Sequence, residues 1–302
     1  REWLVTNGIG GFASGTVSGI RTRCYHGLLV AALAPPLGRT LLVAQTDERA
    51  TYDGSEYALA THRWADDTVA PTGHRHLDRF HLDGPVPTWT YALGDALLEK
   101  QIWMAQGENT TFVRYKLTRA REPVSLNAKV LVNHRNFHAT TQADGWTMNV
   151  TSTDDGVRVD AYDGATPIFL RSAEADLSPT HQWYHDFFLP VEAARGLDAQ
   201  EDHLHAATAT VDLAPGDAVT LVASIDPAAG LDGEAALTQR HQRDETLVGQ
   251  ADLADAPADL QHLVRAADQF VVERSTDAVP DGHSVIAGYP WFGDWGRDTM
   301  IA

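Results

Sequence analysis

The sequence predicts a mostly β protein, a large antiparallel sandwich, followed by a short helical region. Three observations carry this. Over the first two thirds, short runs rich in β-branched and aromatic residues recur at 28–34, 40–45, 89–93, 97–104, 110–117, 124–132, 157–162, 168–171, 204–211 and 218–225, separated by Gly, Pro and Asp turns. Two of these runs alternate cleanly. Thr111, Val113, Tyr115 and Leu117 share a face opposite Arg114 and Lys116, and Val124, Leu126, Ala128, Val130 and Val132 oppose Ser125, Asn127 and Lys129. After Pro227 the apolar period lengthens to that of a helix. Many strands with no helical stretch between them imply sheets packed face to face rather than βαβ units.

In chain order, Asn7-Gly8-Ile9-Gly10-Gly11 reads as a glycine-rich turn within the sandwich. It is not a phosphate loop, because no Lys-Ser or Lys-Thr follows and no strand-to-helix junction surrounds it. Arg21, Arg23, Tyr25 and His26 form a polar cluster at the start of the strand at 28–34. His74, His76 and His81 raise the question of zinc, and alternation places His74 and His76 on one predicted strand face. Like His203 and His205 they lack the spacing and the cysteines of a zinc site, so no metal is assigned. The aromatic run 183–188 reads as core filling. Residues 235–248 are charged and alanine-rich, an exposed helix, and Pro257 suits a first helical turn. Leu260, Leu263, Val264, Ala267, Phe270 and Val271 then form one apolar stripe, read as the buried face of a further helix. A connecting loop is expected at 282–288 and a second helix from Thr299. The division expected is a sandwich at 1–228 and a helical portion at 229–302.

Composition narrows the function. Against 41 acidic side chains stand 23 basic ones, a formal charge of −18, which disfavours nucleic acid and anionic membrane as partners. A neutral polyol is indifferent to that charge. The single cysteine, Cys24, excludes an intrachain disulfide and favours the cytoplasm. No run approaches the ~18 apolar residues of a membrane span. The chain begins with Arg1 rather than Met, as expected of a piece of a longer product.

The densest functional signal lies in the stretch 288–302, where Tyr289, Trp291, Phe292 and Trp295 stand beside Asp294, Arg297 and Asp298. Flat indole faces offer apolar area to the C–H face of a pyranose, while a guanidinium and carboxylates can take its hydroxyls in forked hydrogen bonds. The same residues also fit a surface turn with an ion pair, and Asp298 also fits a helix cap.

Tyr289-Pro290-Trp291-Phe292 followed by Asp294-Trp295-Gly296-Arg297-Asp298-Thr299 resembles the start of the catalytic barrel of bacterial and archaeal glycogen debranching enzymes of the amylo-α-1,6-glucosidase type. Glu2-Trp3-Leu4-Val5-Thr6-Asn7-Gly8-Ile9-Gly10-Gly11 and Arg23-Cys24-Tyr25-His26-Gly27-Leu28-Leu29-Val30 resemble the start of that family's N-terminal domain. The resemblance implies an antiparallel β-supersandwich followed by the first helices of an (α/α)6 barrel, and a substrate that is glycogen or another branched α-glucan. It implies that Arg297 and Asp298 grip the hydroxyls of the non-reducing-end glucose while Trp291 and Trp295 wall the same subsite, with Asp294 read as a binding group beside them. Tyr25 and His26 fit either a face at the barrel mouth touching glucan or a structural turn with a hydrogen-bonded histidine, and the family-like pair Asp47-Glu48 reads as an interdomain contact. Hydrolysis with inversion needs a protonated and an ionised carboxyl ~6.5–9.5 Å apart. The resemblance puts both beyond residue 302, in the rest of the barrel, so residues 1–302 alone are expected to be inactive. Carboxyl and water suffice, and no cofactor is implied. Two other readings stay open: an exo-α-1,4-glucosidase or disaccharide phosphorylase with a related barrel, and a non-catalytic glycan-binding sandwich.

Overall fold

The computed structural model describes residues 1–276 and 279–301, with the backbone alone at 298, 299 and 301. The strands run in chain order as β1 (Glu2–Thr6), β2 (Phe12–Thr16), β3 (Gly27–Ala34), β4 (Leu37–Tyr52), β5 (Ser55–Ala58), β6 (Thr61–Arg63), β7 (Val69–Thr72), β8 (Leu77–Asp83), β9 (Val86–Leu93) and β10 (Ala96–Met104). There follow β11 (Thr110–Arg119), β12 (Val124–Asn136), β13 (Asn149–Thr153), β14 (Gly156–Asp160), β15 (Ile168–Arg171), β16 (Asp176–Phe188), a short helix α1 (Pro190–Ala194), β17 (Gln200–Leu213) and β18 (Ala218–Ser224). The chain then forms α2 (Gly233–Gln250), α3 (Ala258–Asp268), a hairpin of β19 (Val271–Glu273) and β20 (His283–Val285), and α4 (Gly296–Ile301).

Among the described residues two eight-stranded sheets dominate. The first has the order β1-β2-β3-β4-β12-β17-β16, with β5 also on β4, and the second the order β13-β14-β15-β18-β11-β10-β9-β8. Neighbours in the centre of both pair antiparallel, as β4 does with β12 and β11 with β18. The predicted large sandwich followed by a short helical stretch is what forms.

The core between the sheets follows from strand alternation. Leu29, Ala31, Val130, Val132 and Leu204 of the first sheet meet Leu98, Ile102, Val113, Tyr115 and Leu117 of the second, all at most 4% exposed. Each large side chain so buried contributes about 1.5–3 kcal/mol. One carboxylate sits among them: Glu48 accepts from the Tyr115 hydroxyl at 2.6 Å and from Thr46 Oγ1 at 2.5 Å, and pairs with Lys100. Glu48 thus joins the two sheets, and the expected interdomain contact at Asp47-Glu48 is corrected. Asp47 faces His62 of β6 at 3.4 Å.

Both sheets are also covered on their outer faces, which alternation alone did not reveal. On the second sheet, Val86, Trp103, Phe112 and Val222 pack with Leu237 of α2, and Arg114 pairs with Glu234. Asp232 caps α2 by accepting from Ala235 N at 2.9 Å. The helix approaches so closely that a Cβ on Gly233 would meet Thr220 Oγ1 at 2.0 Å. Leu237 and Val248 are buried, so the helix expected to be exposed is half of a layer.

The apolar stripe from Leu260 to Val271 does not behave as predicted. Helix α3 ends at Asp268, none of its residues is buried, and Leu260 and Leu263 remain 45% and 62% exposed. The chain leaves helical geometry because Gln269 Nε2 donates to Leu4 O at 3.2 Å and Val271 enters the β19–β20 hairpin. Its second strand, β20, lies where part of a loop was expected. His74 and His76 likewise sit in a single 3-10 turn rather than on a strand.

Candidate functional site

The C-terminal stretch is anchored on the outer face of the first sheet. Phe12, Val30, Leu41, Ala44 and Leu131 point outward there and pack with Val272, Ile286 and Tyr289, while Trp291 closes the edge. Backbone bonds fix the docking: Glu273 N donates to Gly8 O at 2.8 Å and Ile286 N to Phe270 O at 2.8 Å. Beyond the hairpin the chain folds back on itself, with Ala287 N on Gly293 O at 3.0 Å and Phe292 N on Gly288 O at 2.8 Å.

The glycine-rich turn near the N-terminus is the cradle for this. Asn7, fully buried, donates to Glu108 O at 2.8 Å and accepts from Ile9 N at 3.1 Å. Gly10 has φ +92°, and a Cβ there would meet Pro36 O at 2.4 Å, so only glycine fits. Arg39 rises beside it with its guanidinium against Phe12, Phe137 and Tyr289.

The predicted site residues divide into an inner and an outer set. Trp291 is half-buried, edge-on to Tyr25 at 6.2 Å, with the Arg23 guanidinium 5.0 Å from its ring centre. Asp294 turns inward: its side chain is 4% exposed, pairs with Arg274 and lies 3.4 Å from Ser284 Oγ. Trp295 is 49% exposed, edge-on to the equally exposed Phe292 at 6.1 Å, and Arg297 lies 6.0 Å from its ring centre. Arg297 is exposed at the start of α4. The Asp298 side chain lies outside the described residues.

Tyr25 and His26 stand behind the surface. Tyr25 is 5% exposed, and its hydroxyl is 3.0 Å from Nδ1 of the exposed His138. His26 is 2% exposed, accepts from Thr22 N at 3.1 Å and faces Glu2 at 3.5 Å. The hydrogen bond from His26 is the main cause that holds the Glu2 carboxyl down at about 2. Burial pushes the Cys24 thiol up to about 12, which removes it as a nucleophile.

Beneath Tyr25 lies a fully buried charge cluster that spacing did not disclose. Glu201 pairs with Arg135 and with Arg21, the latter at 2.9 Å, and faces His203 at 3.4 Å. Arg135 Nη2 also donates to Cys24 O at 2.7 Å and Arg21 Nε to His26 O at 3.0 Å, so the cluster fixes the Cys24-Tyr25-His26 backbone. Asn133 Nδ2 lies 3.1 Å from His203 Nδ1, and Arg21 Nη1 contacts Nε2 of the same ring. Burial holds His203 down at about 4, and the two guanidiniums keep Glu201 ionised. Its members come from 21, 135, 201 and 203; only the first lay in a recognisable motif.

A cleft of about 450 Å³ lies elsewhere, between α2 and the second sheet, lined by Trp103, Phe112, Asp232, Arg240 and Arg243 among others. It contains none of the predicted site residues. What the C-terminal surface offers instead is two half-exposed aromatic rings with a guanidinium beside them, over a rigid aromatic support.

Comparison with known proteins gives two matches along the chain. A family model described as "Glycogen debranching enzyme N terminal" covers residues 1–220, and one described as "Amylo-alpha-1,6-glucosidase" covers residues 265–302. The comparison with curated proteins gave no match. Among solved structures the chain is similar to a GalM/aldose epimerase homologue from C. elegans, at 11% identity and a TM-score of 0.40, over 74% of this chain and 98% of that one. The first family match spans well over half of the chain and the second follows it in order; the chain belongs to the glycogen debranching enzyme family, and its last residues fall in the amylo-α-1,6-glucosidase region.

Proposed function

We propose that the protein acts in removing α-1,6-linked glucose at the branch points of glycogen, and that the stretch from Trp291 to Arg297 forms part of its glucose subsite. The observation that carries the site reading is the exposed pair Phe292 and Trp295 with Arg297 beside Trp295, held on a buried aromatic cluster. Trp295 supplies the face for the pyranose ring, and Arg297 donates to its hydroxyls. A sugar lacking those hydroxyls would forgo these hydrogen bonds and bind less well. Asp298 belongs to the same proposal through its place in the sequence.

Asp294 takes a different part from the one expected. Paired with Arg274 and turned inward, it holds the turn that presents Trp295. Turned away from the surface, it is not assigned the general acid. No carboxyl among the described residues is assigned either hydrolytic role. Trp291, Tyr25 and His26 act from behind, Trp291 as a wall and the other two as its support. A cytoplasmic setting and a neutral glucan partner fit the lone buried cysteine and the charge of −18; no helix is long and apolar enough to cross a membrane.

The test is Arg297→Ala in the full-length enzyme, read as glucose release from a branched limit dextrin. A fall in kcat/KM of roughly 10²-fold is expected, the scale on which misplaced substrate loses rate. Wild-type kinetics in that variant would remove Arg297 from the site.

A further inference from the structure

We infer that Arg39, a residue of the sandwich, is a positioning residue for the glucose site, and that it works by clamping the backbone of Pro290 to Phe292. The inference rests on the proposed function in taking the stretch 291–297 as the sugar-binding one.

Arg39 is 3% exposed, yet among the described residues no carboxylate forms an ion pair with it. Burial of its guanidinium is the chief influence on its basicity and pushes it down. A charge withdrawn from water without a counter-ion is costly and persists only where hydrogen bonds and dipoles replace the lost hydration. Here backbone carbonyls do so for Nε and Nη1, while Nη2 is buried with no hydrogen-bond partner among the described residues. Nε donates to Gly10 O at 2.9 Å, and Nη1 donates to Phe292 O at 2.7 Å with Pro290 O at 3.5 Å. Around it stand the ring faces of Tyr289 at 4.8 Å, Phe137 at 5.5 Å and Phe12 at 5.6 Å, which attract a cation through their quadrupoles.

The geometry of those partners gives the role. Arg39 lies on β4, paired across to Ala32 of β3, so its backbone belongs to the rigid first sheet. Two of its carbonyl partners flank Trp291, and the third is the glycine whose turn admits no side chain. A planar fork with five donors can hold several carbonyls at fixed angles at once, which an ammonium cannot. The clamp therefore transmits the register of the sandwich to the turn closed by Ala287 N and Gly293 O, from which Asp294 and Trp295 project. A larger apolar side chain would fill the same space without the desolvation cost, but it would leave the carbonyls of Gly10 and Phe292 unheld.

The experiment uses Arg39→Met, Arg39→Lys and Arg39→Ala in the full-length enzyme. Amide hydrogen exchange should quicken roughly tenfold or more at residues 287–293 in Arg39→Met and Arg39→Lys, with the amides of β11 unchanged, as local opening without global unfolding does. KM for a branched limit dextrin should rise roughly tenfold to a hundredfold with a smaller change in kcat. Millimolar guanidinium, which fits the ring-lined space left by Arg39→Ala, should bring KM back toward wild type. Unchanged exchange at 287–293 in Arg39→Met would overturn the clamp. So would a loss of activity that tracks lost protection across β11 and is not relieved by guanidinium, since that is a role in stability alone. If exchange quickens at 287–293 while Trp295→Ala leaves KM untouched, the clamp stands and the sugar-site reading fails.

Discussion

The first sheet uses the same strands for two unlike faces. Inward, Leu29, Ala31, Val130, Val132 and Leu204 enter a largely apolar core shared with the second sheet, in which Glu48 is tied to Lys100 and Tyr115. Outward, one residue along each strand, Val30, Leu41 and Leu131 support aromatic rings, and Arg39, Arg135, Glu201 and His203 lie buried beside them. The inward face is what a sandwich needs to fold. The outward face buries charge, which is weak as a source of stability and strict about geometry. Charge of that kind is where one expects backbone to be held for a ligand rather than for the fold, and it is there that the C-terminal stretch docks.

The largest effect should come from breaking the outward cluster. Glu201→Ala leaves Arg21 and Arg135 buried without their carboxylate and should cost about 3–5 kcal/mol in denaturant unfolding. A loss below about 1 kcal/mol would mean that the cluster is solvated, and the contrast between the two faces would lapse. A smaller effect should appear with pH. His203 is held at about 4 by burial against an ordinary value of 6.5, so between those values the unfolded chain binds a proton that the folded chain refuses. Stability should therefore fall as pH drops from 6.5 to 4. Glu2, at about 2 against 4.5, adds a further loss below pH 4.5. In His203→Gln the slope above pH 4.5 should flatten while the loss below it remains, as read from melting temperature against pH. An unaltered upper slope would exclude His203 as its source.

Much of the sandwich was legible because alternation is a local signal: β11 and β12 appear where their apolar residues recur at period two. Other strands hid. β13 is Asn149–Thr153, mostly exposed and polar, and β2 spells Phe-Ala-Ser-Gly-Thr, with no alternation to see. The stripe through Val271 misled because helical spacing was satisfied by residues that tertiary bonds from Leu4 and Phe270 divide between a helix and a hairpin. The aromatic run at 289–295 was visible from composition. The inward turn of Asp294 was not, since its partner Arg274 stands twenty residues earlier in an unremarkable loop. Arg39 was invisible for a stronger reason: its partners are carbonyls 29, 251 and 253 residues away, and a carbonyl has no letter in the sequence.

The central claim, that the outward face presents Trp295 to a glucose ring, is tested most directly by the KM of Trp295→Ala in the full-length enzyme on a branched limit dextrin. Loss of one stacking face should raise KM by roughly tenfold, the equivalent of about 1.4 kcal/mol of ring contact. A KM equal to that of the wild type would contradict it.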